Sequence, residues 1–396
     1  VRVVQSFFVP SSIIAGLLGL LLGPQVLDVI PFSPAIQRYP WLLVVVLFAS
    51  FPFSTPKVRS GKEVMKKAGS MLCFCLAAEI GAFALALLVG GAIFRWVFPD
   101  LAAAFPLLMP AGFVGGHGYA TAIGGTLERQ YDLEGAMSVA YTFATVGLFS
   151  AILIGIPLIN WGIKRKLTRL IATGGDIPES LRTGLIPPDE RVSIGDQTTS
   201  AGSLDPLTFH VVLVLMAALA GHYTARYTAE LSEAWLGTRF ELPDLAAAML
   251  CGLLIKKVVS WIGVGASYVD RGVATRIGGT VTDWLVAFGV ASIQLGVVAE
   301  HIWPILTMCA IGWTVALGFL FLVAPRMNPV FWFERGIFAF GWMTGVVAMG
   351  IALLRVADPE YRSGTLEAYG LAYTIIAPVE LVLVATLPIF IGMGYY

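Results

Sequence analysis

Charge is scarce in this chain: only 13% of its 396 residues are Asp, Glu, Lys or Arg, and the formal net charge is zero. A nucleic-acid partner is excluded on that ground, because such partners need a basic footprint. Cysteine is scarce too. Cys73, Cys75, Cys251 and Cys309 sit in apolar runs at no metal-ligand spacing, which argues against a disulfide framework or a zinc centre. There is no HExxH, no paired-aspartate motif and no nucleophile elbow, so an intramembrane enzyme has no motif to rest on. Also missing are the ten-residue alternating segments of a membrane β-barrel.

Hydrophobic sequence is abundant: 57% of residues are apolar. Continuous apolar elements fall at about 7–24, 39–55, 68–95, 101–127 and 135–163, then at 206–226, 242–263, 281–298, 302–325, 336–355 and 366–392. Many are long enough to cross a bilayer. The expectation is an all-α, polytopic, multi-pass protein of the inner cell membrane. A polar stretch over 164–205 divides it into halves, 1–163 and 206–396.

Positive charge orients the spans. Lys57, Arg59, Lys62, Lys66 and Lys67 crowd one short loop, and Lys164, Arg165, Lys166 and Arg169 open the linker. If both are cytoplasmic, an even number of crossings separates them, so one of the three intervening elements must turn back. The glycine-rich "FVGGHGYATAIGG" of 101–127 is that element, and 330–362 becomes a second re-entrant segment entered from the cytoplasm. In this layout all but five of the 25 Lys and Arg are inside, the five being Arg38, Arg95, Arg129, Arg226 and Arg239.

The halves also echo one another. "FFVPSSIIAGLLGLLLG" from Phe7 resembles "RFELPDLAAAMLCGLLI" from Arg239, matching Pro10 to Pro243 and Gly19 to Gly252. "WLLVVVLFAS" from Trp41 echoes "WLVAFGVAS" from Trp284, and "VAYTFATVGL" from Val139 echoes "LAYTIIAPVEL" from Leu371. "GGHGYATAIGG" corresponds to "FGWMTGVVAMG". Shared order at similar offsets, with opposite predicted orientation, points to two inverted repeats of about five helices, each carrying a broken hairpin. The element 206–226 has no partner in the first half, and its counterpart is expected before Val1.

Candidate site residues follow from these patterns. Gly115, Gly116, His117 and Gly118 form the first tip, with Thr121 behind it, and Thr344 and Gly345 lie in the second. Ser50 and Ser292 occupy matched positions. The hydroxyls of Thr142, Thr145 and Thr374 suit Na⁺, a hard cation that takes oxygen ligands, although threonine in membrane helices often bonds back to its own helix. Glu79 and Glu380 are carboxylates near the middle of spans, where charge is expensive, and are candidates for cation or proton coupling. Asp244 and Asp283 are taken as helix-start caps.

"GGHGYATAIGGTLERQYDL" followed by "AYTFATVGLF", together with "ELPDLAAAMLCGLLI" and the Pro10 region, resembles the glutamate/sodium symporter family, and the likeness extends over nearly the whole chain. The resemblance implies Na⁺-coupled uptake of glutamate or a related small anion. It also implies two five-helix halves of opposite orientation, a cytoplasmic central loop, two re-entrant segments, and a homodimer working by elevator-like movement. The related 2-hydroxycarboxylate transporters share that plan. Two features depart from the family pattern: Trp342 and Met343 replace a Gly-His type second tip, and Glu380 stands where a shorter Asp is typical. No Lys or Arg is assigned to receive a second substrate carboxylate. Proton coupling through Glu79 or Glu380 is the alternative mechanism; an intramembrane enzyme or a channel is the alternative class.

Overall fold

The computed structural model describes residues 10–54, 61–170, 193, 195–200, 202–236, 242, 244–261, 268–359 and 361–394. Expectations placed on Lys57, Arg59, Arg239, Pro243 and most of 164–205 lie outside them. Among the described residues seven helices are long and apolar enough to cross a membrane: Ala35–Ser54, Ala68–Val97, Ala136–Lys164, Pro206–Trp235, Ile302–Met327, Trp332–Ala357 and Thr365–Gly392. The chain is an all-helical, polytopic membrane protein.

Two compact units divide it. One comprises Val1–Pro31, Val58–Asp189 and Gly289–Tyr396; the other comprises Phe32–Lys57 and Glu190–Phe288. Each unit draws on both halves of the sequence, so the division in space is not the division at the linker.

The second unit holds α2 (Tyr39–Ser54), α7 (Pro206–Leu236), α8 (Asp244–Trp261) and most of α9 (Arg271–Ala291). Small residues let these helices approach. A methyl on Gly221 would lie 2.3 Å from the Ala248 backbone, and one on Gly252 would lie 3.0 Å from Pro52. Such contacts drive helix association where lipid is as apolar as the side chains. Two sequence expectations are corrected here. The element expected over 281–298 starts ten residues earlier, at Arg271, and α9 ends at Ala291. "RGVATRIGGT" is polar and glycine-rich, but it continues the helix instead of forming a loop. Asp283 is therefore inside α9 and caps nothing. Asp244 does begin α8 and faces His222 at 3.5 Å.

The first unit holds α1 (Ser11–Leu22), α3 (Gly61–Leu85, continuing through Ala86–Gly90 to Val97), α4 (Leu108–Phe113) and α5 (116–130). With them are α6 (Ala136–Lys164), α10 (Leu295–Glu300), α11 (Ile302–Gly318, continuing to Met327), α12 (Trp332–Ala357) and α13 (Thr365–Gly392). Helix α6 is its axis. Gly147, Gly155 and Gly162 lie along one of its sides, where an added methyl would meet the Thr344 carbonyl at 2.2 Å, Leu353 at 2.5 Å and the Phe333 ring at 2.2 Å. This glycine stripe lets α12 lie directly on the α6 backbone.

Candidate functional site

The segment 105–130 doubles back on itself. Phe105 stacks on His301 with ring centroids 5.7 Å apart, at the start of α11. Phe113 lies deep, against Gly312 within α11 and Gly147 within α6. The helix then breaks, with Gly116 at φ +60°, a conformation glycine adopts without a Cβ penalty. Arm α5 returns until the Glu128 carboxylate accepts the Met137 N–H at 3.0 Å, at the first turn of α6. Both ends of the segment therefore lie beside helix starts, and the tip lies about ten residues in.

Helix α12 does the same from the other end of α6. The Glu334 carboxylate accepts the Arg169 N–H at 2.8 Å, just beyond the last turn of α6, and Phe333 covers Gly162. The helix breaks at Gly345 (φ −149°, ψ 37°) and Val346 (φ 66°, ψ 165°). Its two arms then pack so closely that a methyl on Gly341 would lie 2.8 Å from the Gly350 Cα. In a straight helix residues nine apart are about 13 Å apart. The tips meet: a methyl on Gly116 would lie 2.3 Å from Val346 Cγ1.

Around this junction the polar side chains converge. His117 is buried; its Nε2 lies 3.3 Å from Thr145 Oγ1 and its ring stacks on Tyr141 at 6.0 Å. Thr121 Oγ1 donates to the His117 carbonyl at 2.7 Å and lies 3.0 Å from the Tyr141 hydroxyl. Thr344 is fully buried, its hydroxyl donating to the Phe340 carbonyl at 2.8 Å. Thus Gly115, Gly116, His117, Gly118, Thr121, Thr145, Thr344 and Gly345 belong to one region.

The remaining expected residues stand apart or are committed locally. Thr142 donates to the Ser138 carbonyl and Thr374 to the Leu371 carbonyl, both at 2.8 Å. These are the helix back-bonds threonine makes in membranes, and they leave oxygen lone pairs free. Ser292 is in the same unit, its hydroxyl donating to the Gly289 carbonyl at 2.9 Å. Ser50 belongs to the other unit and donates to Leu47. Glu380 accepts the Tyr119 hydroxyl at 2.8 Å and the Tyr373 hydroxyl at 3.4 Å. Glu79 is fully buried with neither oxygen partnered.

Sequence reasoning passed over Tyr119, Tyr141 and Val346. The two tyrosines stand inside the quoted motifs, where a phenol between small residues was the available signal; Val346 gave none.

Two broken helices meeting point to point beside a long glycine-lined helix define a secondary transporter in architecture. The family model for the sodium/glutamate symporter matches residues 1–328, and the chain belongs to that family of membrane transporters; it is not an enzyme. The match ends just before α12, the element in which Trp342 and Met343 depart from the family pattern. No curated protein matches the chain.

Proposed function

We propose that the chain is a Na⁺-coupled symporter of a small anionic solute, glutamate or a related dicarboxylate, and that its site is the junction of the two tips. The observation that carries this is the contact of Gly116 with Val346. It brings two helix C-termini and two helix N-termini together at one point. C-terminal carbonyls attract a cation and N-terminal amides attract an anion. Two return arms, starting at Gly116 and just after Val346, offer one N-terminus to each carboxylate of a dicarboxylate. That gives each carboxylate a partner without a Lys or Arg side chain. His117 and Thr121 face the solute, and Thr142, Thr145 and Thr374 supply oxygen to Na⁺.

The inverted repeat is supported by features that recur at a nearly constant interval. Five-residue π-helical segments start at Ala86 and Phe319, 233 residues apart. The tips break at Gly116 and Val346, 230 apart, and left-handed glycines precede α6 and α13 at Gly135 and Gly364, 229 apart. The first unit carries both tips and is the part that moves in an elevator-type cycle. The working form is a homodimer in the inner membrane, with the linker cytoplasmic.

Uptake of labelled L-glutamate into proteoliposomes, driven by a Na⁺ gradient alone, tests the reading. Saturable, counterflow-competent uptake that disappears when K⁺ replaces Na⁺ is the expected result. Uptake indifferent to Na⁺ sinks it.

A further inference from the structure

A second polar cluster lies away from the tips, among α3, α5, α12 and α13. Glu79 of α3 is fully buried, and neither carboxyl oxygen has a partner. It interacts electrostatically with Glu380 of α13. Cys75, Tyr119, Tyr369 and Tyr373 each feel both carboxyls. Tyr369 is buried with its own hydroxyl unpartnered, and it packs against Phe338 and Trp342 of α12 at 4.9 and 6.2 Å. Arg335 acts on Cys75, while the groups acting on the carboxyls are Glu380 on Glu79, and Tyr119 and Tyr373 on Glu380.

The two acids are not equivalent. Glu380 has two phenol donors on one oxygen, an arrangement that stabilises an anion. Glu79 has no donor, and it stands on a helix whose Cys75, Ala78 and Ala82 belong to a buried apolar cluster. An unpartnered carboxylate at such a place is strongly disfavoured, and a second negative charge nearby adds to that. Binding one proton on a Glu79 oxygen removes both penalties without any further ligand. A Na⁺ ion would instead need several converging oxygens, and the phenol hydrogens already point at Glu380.

We propose that Glu79 and Glu380 form one proton-binding site, Glu79 holding the proton and Glu380 the charge, joined to the first tip through Tyr119. The Tyr119 hydroxyl sits on Glu380 two residues after His117, so a shift of α5 removes a donor from the anion and changes the proton's hold. Glu79 then exchanges its proton with the aqueous side to which the cluster is open. The proposal rests on the transporter reading and adds a proton to its cycle.

Infrared difference spectra of the purified full-length protein test it directly. At neutral pH the wild type shows the C=O stretch of a protonated carboxyl, and Glu79→Gln loses that band. In proteoliposomes an inward pH gradient accelerates Na⁺-driven L-glutamate uptake by the wild type, and Glu79→Gln shows no such response. A carboxylate-only wild-type spectrum at neutral pH, or a Glu79→Gln spectrum identical to wild type, overturns the proposal. The wild-type spectrum decides even if the variant fails to fold. Absence of Na⁺-driven uptake in the wild type counts against the symport reading, and the infrared band still judges the proton site on its own.

Discussion

Gly116 and Val346 touch tip to tip, and both backbones are at positive φ, +60° and +66°. The two positions carry different costs. Glycine is free there. A β-branched residue at φ 66° and ψ 165° occupies a region that is nearly glycine's alone, at a cost of roughly 1–3 kcal/mol. The neighbours hold it in place: Gly345 is wedged against Leu148 and Ala151, and the Thr344 carbonyl lies on Gly147. Strain that persists where two half-helices meet is strain kept where the solute is proposed to bind.

Gly116→Ala adds a methyl 2.3 Å from Val346 Cγ1 and fixes a residue with a Cβ in the left-handed region, costing about 1–2 kcal/mol before any clash. The tips are forced apart. The expected outcome is uptake of L-glutamate reduced at least tenfold while the protein still inserts and purifies. Normal uptake by this variant would show that the tip contact is dispensable.

Val346→Gly runs the other way. It releases the backbone strain, and it adds unfolded-state freedom of up to about 1 kcal/mol that offsets part of the gain. A melting temperature at or above wild type in detergent is expected, together with weaker Na⁺-dependent uptake, because the tip contact is gone. A clear fall in melting temperature would mean that the valine is not strained.

Much of this arrangement was legible in the sequence, for physical reasons. Glycines clustered in an apolar run announce a break, and the basic loops at 57–67 and 164–169 carried the expectation that one element between them turns back. That reasoning pointed to a break at Gly115–Gly118, where Gly116 has positive φ, and the same charge count carried on pointed to 330–362, where the helix breaks at Gly345 and Val346. Val346 was not legible, because a valine carries no preference for positive φ; its place follows from the packing of Thr344 on Gly147, of Gly345 on Leu148 and of Val346 itself on Gly116. Nor was the Tyr119–Glu380 bond, whose partners are 261 residues apart. Local pattern also failed at α9, where "RGVATRIGGT" has the composition of a loop and the geometry of a helix.

Thr145 separates positioning from mere helix back-bonding. Its hydroxyl donates to the Tyr141 carbonyl at 2.8 Å and also meets His117 Nε2 at 3.3 Å. Thr145→Ala removes both contacts, and a lost hydrogen bond is worth about 0.5–1.5 kcal/mol. Half-saturation for Na⁺ or L-glutamate should rise about 2–10-fold, and Thr145→Ser should restore it. Equal behaviour of the alanine and serine variants would remove the hydroxyl from the site.

The glycine contact within α12 sets its second arm. A methyl on Gly350 would lie 2.6 Å from the Phe338 carbonyl, and one on Gly341 would lie 2.8 Å from the Gly350 Cα. Overpacking of this kind costs about 1–3 kcal/mol. Gly350→Ala is expected to lower the melting temperature in detergent and to abolish uptake, since the arms must splay. An unchanged melting temperature would mean that the arms are not packed backbone to backbone.

The sidedness of the two hairpins can be read without any transport assay. Asp100 and Glu134 are exposed positions on either side of the first doubled-back segment, and Pro329 and Glu367 flank the second. In a background lacking Cys73, Cys75, Cys251 and Cys309, a cysteine at each position reports which face of the membrane it occupies. A membrane-impermeant maleimide added to intact cells should label Asp100→Cys and Glu134→Cys, and should reach Pro329→Cys and Glu367→Cys only after the membrane is opened. A segment that turns back must leave its two flanks on one side; a segment that crosses must separate them. Labelling of Asp100→Cys and Glu134→Cys from opposite sides would mean that 105–130 traverses the bilayer. The two tips would then no longer approach from opposite faces, and the inverted arrangement of dipoles on which cation and anion binding depend would be lost.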